Sequence, residues 1–106
     1  MQGVERVTVD VTGLAAGATR AFAIGAHRIL VCNVDGAFYA VRNVCPHQEF
    51  ALDDARLRGA LIECSLHGGR FDVRDGCPVR APTKNALATY RCRTSGSLLE
   101  IELGTG

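Results

Sequence analysis

HRILVCNV-DG-AFYAVRNV, residues 27–44, is the stretch on which the fold turns. His27 to Val34 is apolar on both alternating faces, as a strand covered from two sides must be, so it belongs at the centre of a sheet. Asp35-Gly36 follows, and both residue types tolerate positive φ. The dipeptide therefore predicts a two-residue hairpin turn into a second strand, Phe38 to Val44.

Outward from that hairpin the period stays near two. Val7, Val9 and Val11 alternate with Arg6, Thr8 and Asp10, the pattern of a strand with one dry face. Thr19 to Ile24 forms another strand after the Gly17 break. Beyond Val44 the alternation stops at Cys45-Pro46-His47, and no clear period runs from there to Arg58, although Phe50 to Leu57 has room for a helical turn or two. Strand character returns at Leu61 to Cys64 and again at Arg70 to Arg74, which Asp75-Gly76 closes as a second hairpin signal. Pro78 and Pro82 bracket a loop. Ala86 to Arg93 and Leu98 to Leu103 make a last pair around Ser95-Gly96, with Leu99, Ile101 and Leu103 inward and Glu100 and Glu102 outward. About eight short strands separated by glycine-rich turns predict an all-β sandwich or barrel. With no repeat, low-complexity tract or linker, residues 1–106 read as a single domain.

Composition narrows the function. Of 106 residues 47% are apolar and 22% charged, and twelve basic side chains against eleven acidic ones leave a net charge of +1. That balance supplies no basic field for nucleic acid. The apolar runs are far too short for a membrane span, and Glu5 and Arg6 stand where a signal peptide needs its apolar core, so a cytoplasmic protein is expected. Five cysteines are many for that compartment, and the odd number speaks against a fully paired disulfide framework. Some of them are expected to bind metal.

The chemistry sits in Cys45-Pro46-His47 and Cys64-Ser65-Leu66-His67-Gly68, where sixteen residues separate His47 from Cys64. Each loop pairs one thiolate with one imidazole at a strand end, and together they offer four metal ligands. Two of only three histidines follow a cysteine this closely. Two cysteines and two histidines satisfy tetrahedral zinc, so a zinc-binding structural module stays open, but zinc fingers group Cys with Cys and His with His. Here the order is Cys-His, Cys-His.

That order resembles the Rieske family: C-x-H, then C-x-x-H-G, followed by a Phe-Asp pair (Phe71-Asp72), a turn glycine (Gly76) and a proline loop (Pro82). The resemblance spans essentially the whole chain. It implies an all-β, Rieske-type sandwich of small antiparallel sheets with a cluster-binding subdomain built from two loops. One 2Fe-2S cluster is implied, with Cys45 and Cys64 on one iron and His47 and His67 on the other. Two ferric ions, two sulfides and two thiolates sum to zero charge, which eases addition of an electron relative to an all-thiolate cluster. The chain departs from high-potential relatives. Glu49 and Leu66 stand where those carry a second cysteine pair, and Gly69 and Phe71 where they place hydroxyl donors. The low-potential class of soluble ferredoxins is therefore expected.

The implied function is a single-electron carrier between a flavin-dependent ferredoxin reductase and a terminal Rieske non-haem iron oxygenase acting on aromatic rings, with no chemistry on the substrate. The small subunit of an assimilatory nitrite reductase is an alternative of the same length and fold. Cys32, Cys77 and Cys92 lack neighbouring histidines and read as core fillers or spectators, Cys77 being the most exposed; Tyr39 and Tyr90 read as core aromatics and His27 as solvated. Asp53, Asp54, Arg56 and Arg58 form a charged run between the two ligand loops, placed to steer redox partners.

Overall fold

Asp35 and Gly36 adopt φ of 53° and 94°, the pair of left-handed conformations that a two-residue hairpin turn requires. In the computed structural model, which describes residues 5–44, 52, 55–63, 69–79 and 86–104, this turn joins β3 (His27–Val34) to β4 (Ala37–Arg42) in the register Val34↔Ala37 and Leu30↔Val41. Asn33 fixes it from below. Its buried side chain accepts a hydrogen bond from the Gly36 amide at 2.7 Å and donates one to the Leu14 carbonyl at 2.7 Å.

The remaining strands are β1 (Glu5–Asp10), β2 (Thr19–Ile24), β5 (Arg56–Arg58), β6 (Leu61–Glu63), β7 (Arg70–Asp72), β8 (Thr89–Tyr90), β9 (Cys92–Ser95) and β10 (Leu98–Gly104). They form three antiparallel sheets ordered β1-β10-β9, β2-β3-β4-β8 and β5-β6-β7.

The four-stranded sheet lies between two cores, and that placement explains the double-sided apolarity of β3. Ile29 and Val31 join Val9, Ala40, Leu99 and Ile101 against the β1-β10-β9 sheet. Leu30 and Cys32 join Val41, Ile62, Phe71, Val73 and Leu87 against the β5-β6-β7 sheet. Successive residues of one strand therefore serve opposite layers. Phe71 is fully buried, which is worth about 1.5–3 kcal/mol for a side chain of this kind.

Three expectations need correction. Arg56 and Leu57 are not helical: they lie in β5, while a hydrogen bond from the Ala55 amide to the Leu52 carbonyl at 2.9 Å makes a turn before them, and residues 50, 51, 53 and 54 lie outside the described residues. Leu57 pairs across to Ile62, so core burial in a sheet overrides whatever helical tendency the segment has. Ala86 to Arg93 is not one strand either. β8 pairs with β4 while β9 pairs with β10, and the chain changes sheets at Arg91, whose carbonyl accepts from the Glu102 amide. His27, expected in solvent, is half-buried with Nδ1 3.3 Å from the Tyr90 hydroxyl and its ring edge-on to that of Tyr90. The Asp75-Gly76 return is present, but it carries a single bridge, Phe71↔Pro78, in place of a paired strand.

Candidate metal centre

Cys45, His47, Cys64 and His67 all lie outside the described residues, as do Gly68 and Pro82. What the structure describes is the framework from which their loops leave and to which they return.

The first loop departs after Asn43 and Val44 and comes back at Leu52. Asn43 is buried at the end of β4, where its amide donates to the Arg28 carbonyl at 2.8 Å and its Oδ1 accepts from the Leu52 amide at 2.7 Å. A side chain thus ties the two described ends of this segment together. The second loop departs from Glu63 and returns at Arg70, which are direct partners across β6 and β7, and Arg70 Nε donates to Glu63 Oε2 at 3.0 Å. The proline loop leaves Val79, whose amide donates to the Arg70 carbonyl at 2.9 Å, and re-enters near Leu87, whose amide donates to the Gly76 carbonyl at 2.8 Å. Leu52, Ile62, Phe71 and Leu87, one or more from each base, share one core cluster. Three loops are therefore rooted together on a single rigid floor, the arrangement a multi-ligand centre needs to hold its geometry.

The charges at these bases are settled locally. Hydrogen bonding from Arg70 holds the Glu63 carboxyl below the usual carboxylate range, helped by the fields of Arg58 and Arg56. Hydrogen bonds from Arg74 do the same for Asp72, with the two guanidinium contacts at 2.9 and 2.7 Å. A carboxyl whose folded-state pKa is lowered stabilises the fold fully above its unfolded titration and loses that contribution as pH falls through the folded value. Asp72→Asn is accordingly expected to lower stability at neutral pH and to change little in strong acid, where the carboxyl of the parent protein is itself protonated, so that the acid limb below about pH 4 flattens, read as urea midpoints against pH.

The three other cysteines fit a spectator role. Burial pushes the Cys32 thiol up to about 12. Burial also raises Cys92, whose thiol donates to the Phe38 carbonyl at 3.5 Å. Cys77 is exposed, and the hydrogen-bonding carboxylate of Asp75 raises its pKa. At all three positions burial or a neighbouring carboxylate disfavours the thiolate form. Among the described residues no group of three or more His, Cys, Asp or Glu side chains converges on a metal-sized site. Asn43, whose side chain bonds across the base of the first loop, is a residue that sequence reasoning missed. The available signal was a polar side chain two residues before Cys45, where a strand must give way to a loop.

A family model for the Rieske [2Fe-2S] domain matches residues 6–91. The chain belongs to this family. It is 36% identical over 93 residues to the ferredoxin component of biphenyl 2,3-dioxygenase from Rhodococcus jostii RHA1, covering 88% of this chain and 87% of that one. Its structure superposes on the ferredoxin of carbazole 1,9a-dioxygenase from Nocardioides aromaticivorans IC177 with a TM-score of 0.82 at 31% identity, covering 92% of this chain and 95% of the other. A ferredoxin in complex with the oxygenase of carbazole 1,9a-dioxygenase matches with a TM-score of 0.86 at 26% identity, over 95% of each chain.

The cofactor of this Rieske protein is one 2Fe-2S cluster, and its type is that of an electron-carrying ferredoxin component, not a catalyst. The donor set in its sequence, two thiolates and two imidazoles on loops with a common floor, suits such a cluster. Among the described residues no helix is long and apolar enough to cross a membrane.

Proposed function

We propose that this Rieske chain, folded as one domain over residues 1–106, carries single electrons in the cytoplasm from a flavin-dependent reductase to a terminal Rieske non-haem iron oxygenase that hydroxylates aromatic rings. Cys45 and Cys64 bind one iron of its cluster and His47 and His67 the other. The observation that carries the reading is the common root of the two Cys-His loops on the Leu52, Ile62, Phe71 and Leu87 core, in a chain whose relatives along nearly their whole length are dioxygenase ferredoxins. When bound, the cluster accepts and releases one electron at a time.

The protein's own residues supply the rigidity for this. Asn43, Glu63 and Arg70 hold the loop bases closed, and the dry core beneath them limits rearrangement between the two charge states. Iron and sulfide analysis with electron paramagnetic resonance of the reduced protein tests the assignment. Two irons and two sulfides per chain with a Rieske signal are expected, whereas a colourless zinc-loaded protein refutes it.

The same reading sets the potential. Gly69 is buried just before β7 and Phe71 is fully buried, so neither position offers a hydroxyl to a sulfide or thiolate. The midpoint is expected in the lower part of the Rieske range of roughly −150 to +300 mV. Phe71→Tyr and Gly69→Ser are each expected to raise it in protein-film voltammetry.

A further inference from the structure

The two Cys-His loops are rooted by different means. Glu63 and Arg70, at the ends of the second, are direct partners across β6 and β7, and the pairs Ile62↔Phe71 and Leu61↔Asp72 extend that ladder away from the loop. The Glu63-Arg70 ion pair adds little to it, because its side chains are 31% and 39% exposed and water screens them. Asn43 and Leu52, the corresponding residues of the first loop, lie in no strand. Among the described residues they are joined by a side-chain bond, in which Asn43 Oδ1 accepts from the Leu52 amide at 2.7 Å.

Both ends of this bond are fixed from behind. The Asn43 amide donates to the Arg28 carbonyl at 2.8 Å, one step past the β3-β4 register pair Ile29↔Arg42. Leu52 has its side chain in the core with Ile62, Phe71 and Leu87, and its carbonyl accepts from the Ala55 amide at 2.9 Å. The two residues are 6% and 1% exposed, so without Asn43 Oδ1 the Leu52 amide is a buried donor that water does not reach. Cys45 and His47 both fall between Asn43 and Leu52 in the chain, so the bond brackets the two ligands of this loop. Asn33 is the other buried polar side chain among the described residues. It braces the Asp35-Gly36 hairpin at the opposite end of β4, through its bonds to Leu14 and Gly36.

We propose that Asn43 is a positioning residue for the cluster, its side chain setting where the Cys45-His47 half of the ligand set stands, a proposal that rests on the ligand assignment above. Groups that orient metal ligands from behind are worth about 10–100-fold in metal affinity when removed. Asn43 acts in that way through the base of the loop, without itself being a ligand. What the position requires is an oxygen acceptor: Oδ1 satisfies the Leu52 amide whether the side chain is Asn or Asp. Removing the Arg70 side chain leaves the β6-β7 ladder in place, so the base of the second loop tolerates loss of its side-chain bond better than the base of the first.

The test uses the holoprotein, with iron release to an excess of chelator and electron paramagnetic resonance of the reduced cluster as readouts. Asn43→Leu is expected to speed release by about tenfold or more and to shift or broaden the signal. Asn43→Asp, which retains the acceptor, is expected to release iron within about threefold of the parent rate and to keep the parent signal. Asn33→Leu removes the bonds of a buried asparagine remote from the loops. It is expected to lower the urea midpoint as Asn43→Leu does while leaving the signal unchanged. Arg70→Met is expected to speed release at least about threefold less than Asn43→Leu. Should Asn43→Leu not accumulate with its cluster, Asn43→Ser, whose hydroxyl ends one bond short of the Leu52 amide, takes its place in the same comparison. Parent-like release and signal in that variant, the same spectral change in Asn33→Leu, or an Asp variant no better than the Leu or Ser one each overturn the positioning role. A parent protein without a Rieske signal overturns the ligand assignment instead.

Discussion

Cys64→Ser is expected to abolish the 2Fe-2S cluster and to leave a chain that melts on the order of 15–30 °C below the holoprotein. The loops bearing Cys45, His47, Cys64 and His67 are tied to the body at Asn43-Leu52 by a side-chain hydrogen bond and at Glu63-Arg70 by strand pairing and a side-chain hydrogen bond. In the Rieske reading the metal ligands join the two loops to each other through the cluster, so losing one ligand loosens both. A small domain has only about 5–15 kcal/mol of stability to lose, and removal of a structural metal is among the few single changes that exceed about 4 kcal/mol. The comparison set is Cys32→Ala, Cys77→Ala and Cys92→Ala. Cys32 is fully buried in the core, so its truncation should cost about 1 kcal/mol of packing with full iron retained. Cys77 is exposed and Cys92 half-buried, so both should be milder still. Iron content and thermal unfolding of the four variants check this. A colourless Cys77→Ala protein, or a Cys64→Ser protein with two irons, contradicts the ligand set.

What could be read from the sequence divides along a physical line. Local rules sufficed where one strand's own residues decide its state: β2 and β3 have the expected boundaries, and the Asp35-Gly36 hairpin is where the dipeptide placed it. The kind of cofactor was legible for the same reason, since the Cys-His spacing is local, and the family match agrees with it. Partner choice between strands was not. Nothing in Ala86 to Arg93 announces that Tyr90 pairs with Ala40 while Cys92 pairs with Ile101, because the switch at Arg91 depends on which sheet edges happen to be open. At Arg56 and Leu57 the helical reading fails for a related reason. Leu57 is drawn into a strand by Ile62 and Phe71, residues that a local period does not see. His27 looked solvated because its partner Tyr90 is sixty-three positions away.

Gly76→Ala is expected to be the most damaging substitution remote from the ligands, costing about 4 kcal/mol or more. Asp75-Gly76 reads in the sequence as a turn dipeptide whose glycine serves only its conformation. The structure gives it a second task. Gly76 has φ of +80°, and a Cβ built there would run into the carbonyl oxygen of Leu87, on the segment that returns from the proline loop. The same two residues are joined by the bond from the Leu87 amide to the Gly76 carbonyl, and Leu87 is 2% exposed in the core beneath the loops. Two backbones are pressed together here with no room for a methyl group. Gly13 and Gly96 separate the two effects, since they have φ of +77° and +62° but nothing within 4 Å of an added Cβ. Gly13→Ala and Gly96→Ala should cost only the left-handed penalty, about 1–2 kcal/mol. Gly76→Ala adds the broken bond, worth about 1 kcal/mol, and partial withdrawal of a leucine from the core, whose complete loss costs about 2–5 kcal/mol. Urea denaturation of the three holoproteins measures the difference directly. Equal destabilisation in all three would show that the close approach at Leu87 can relax, and the proline loop would then not be pinned to the core at this point.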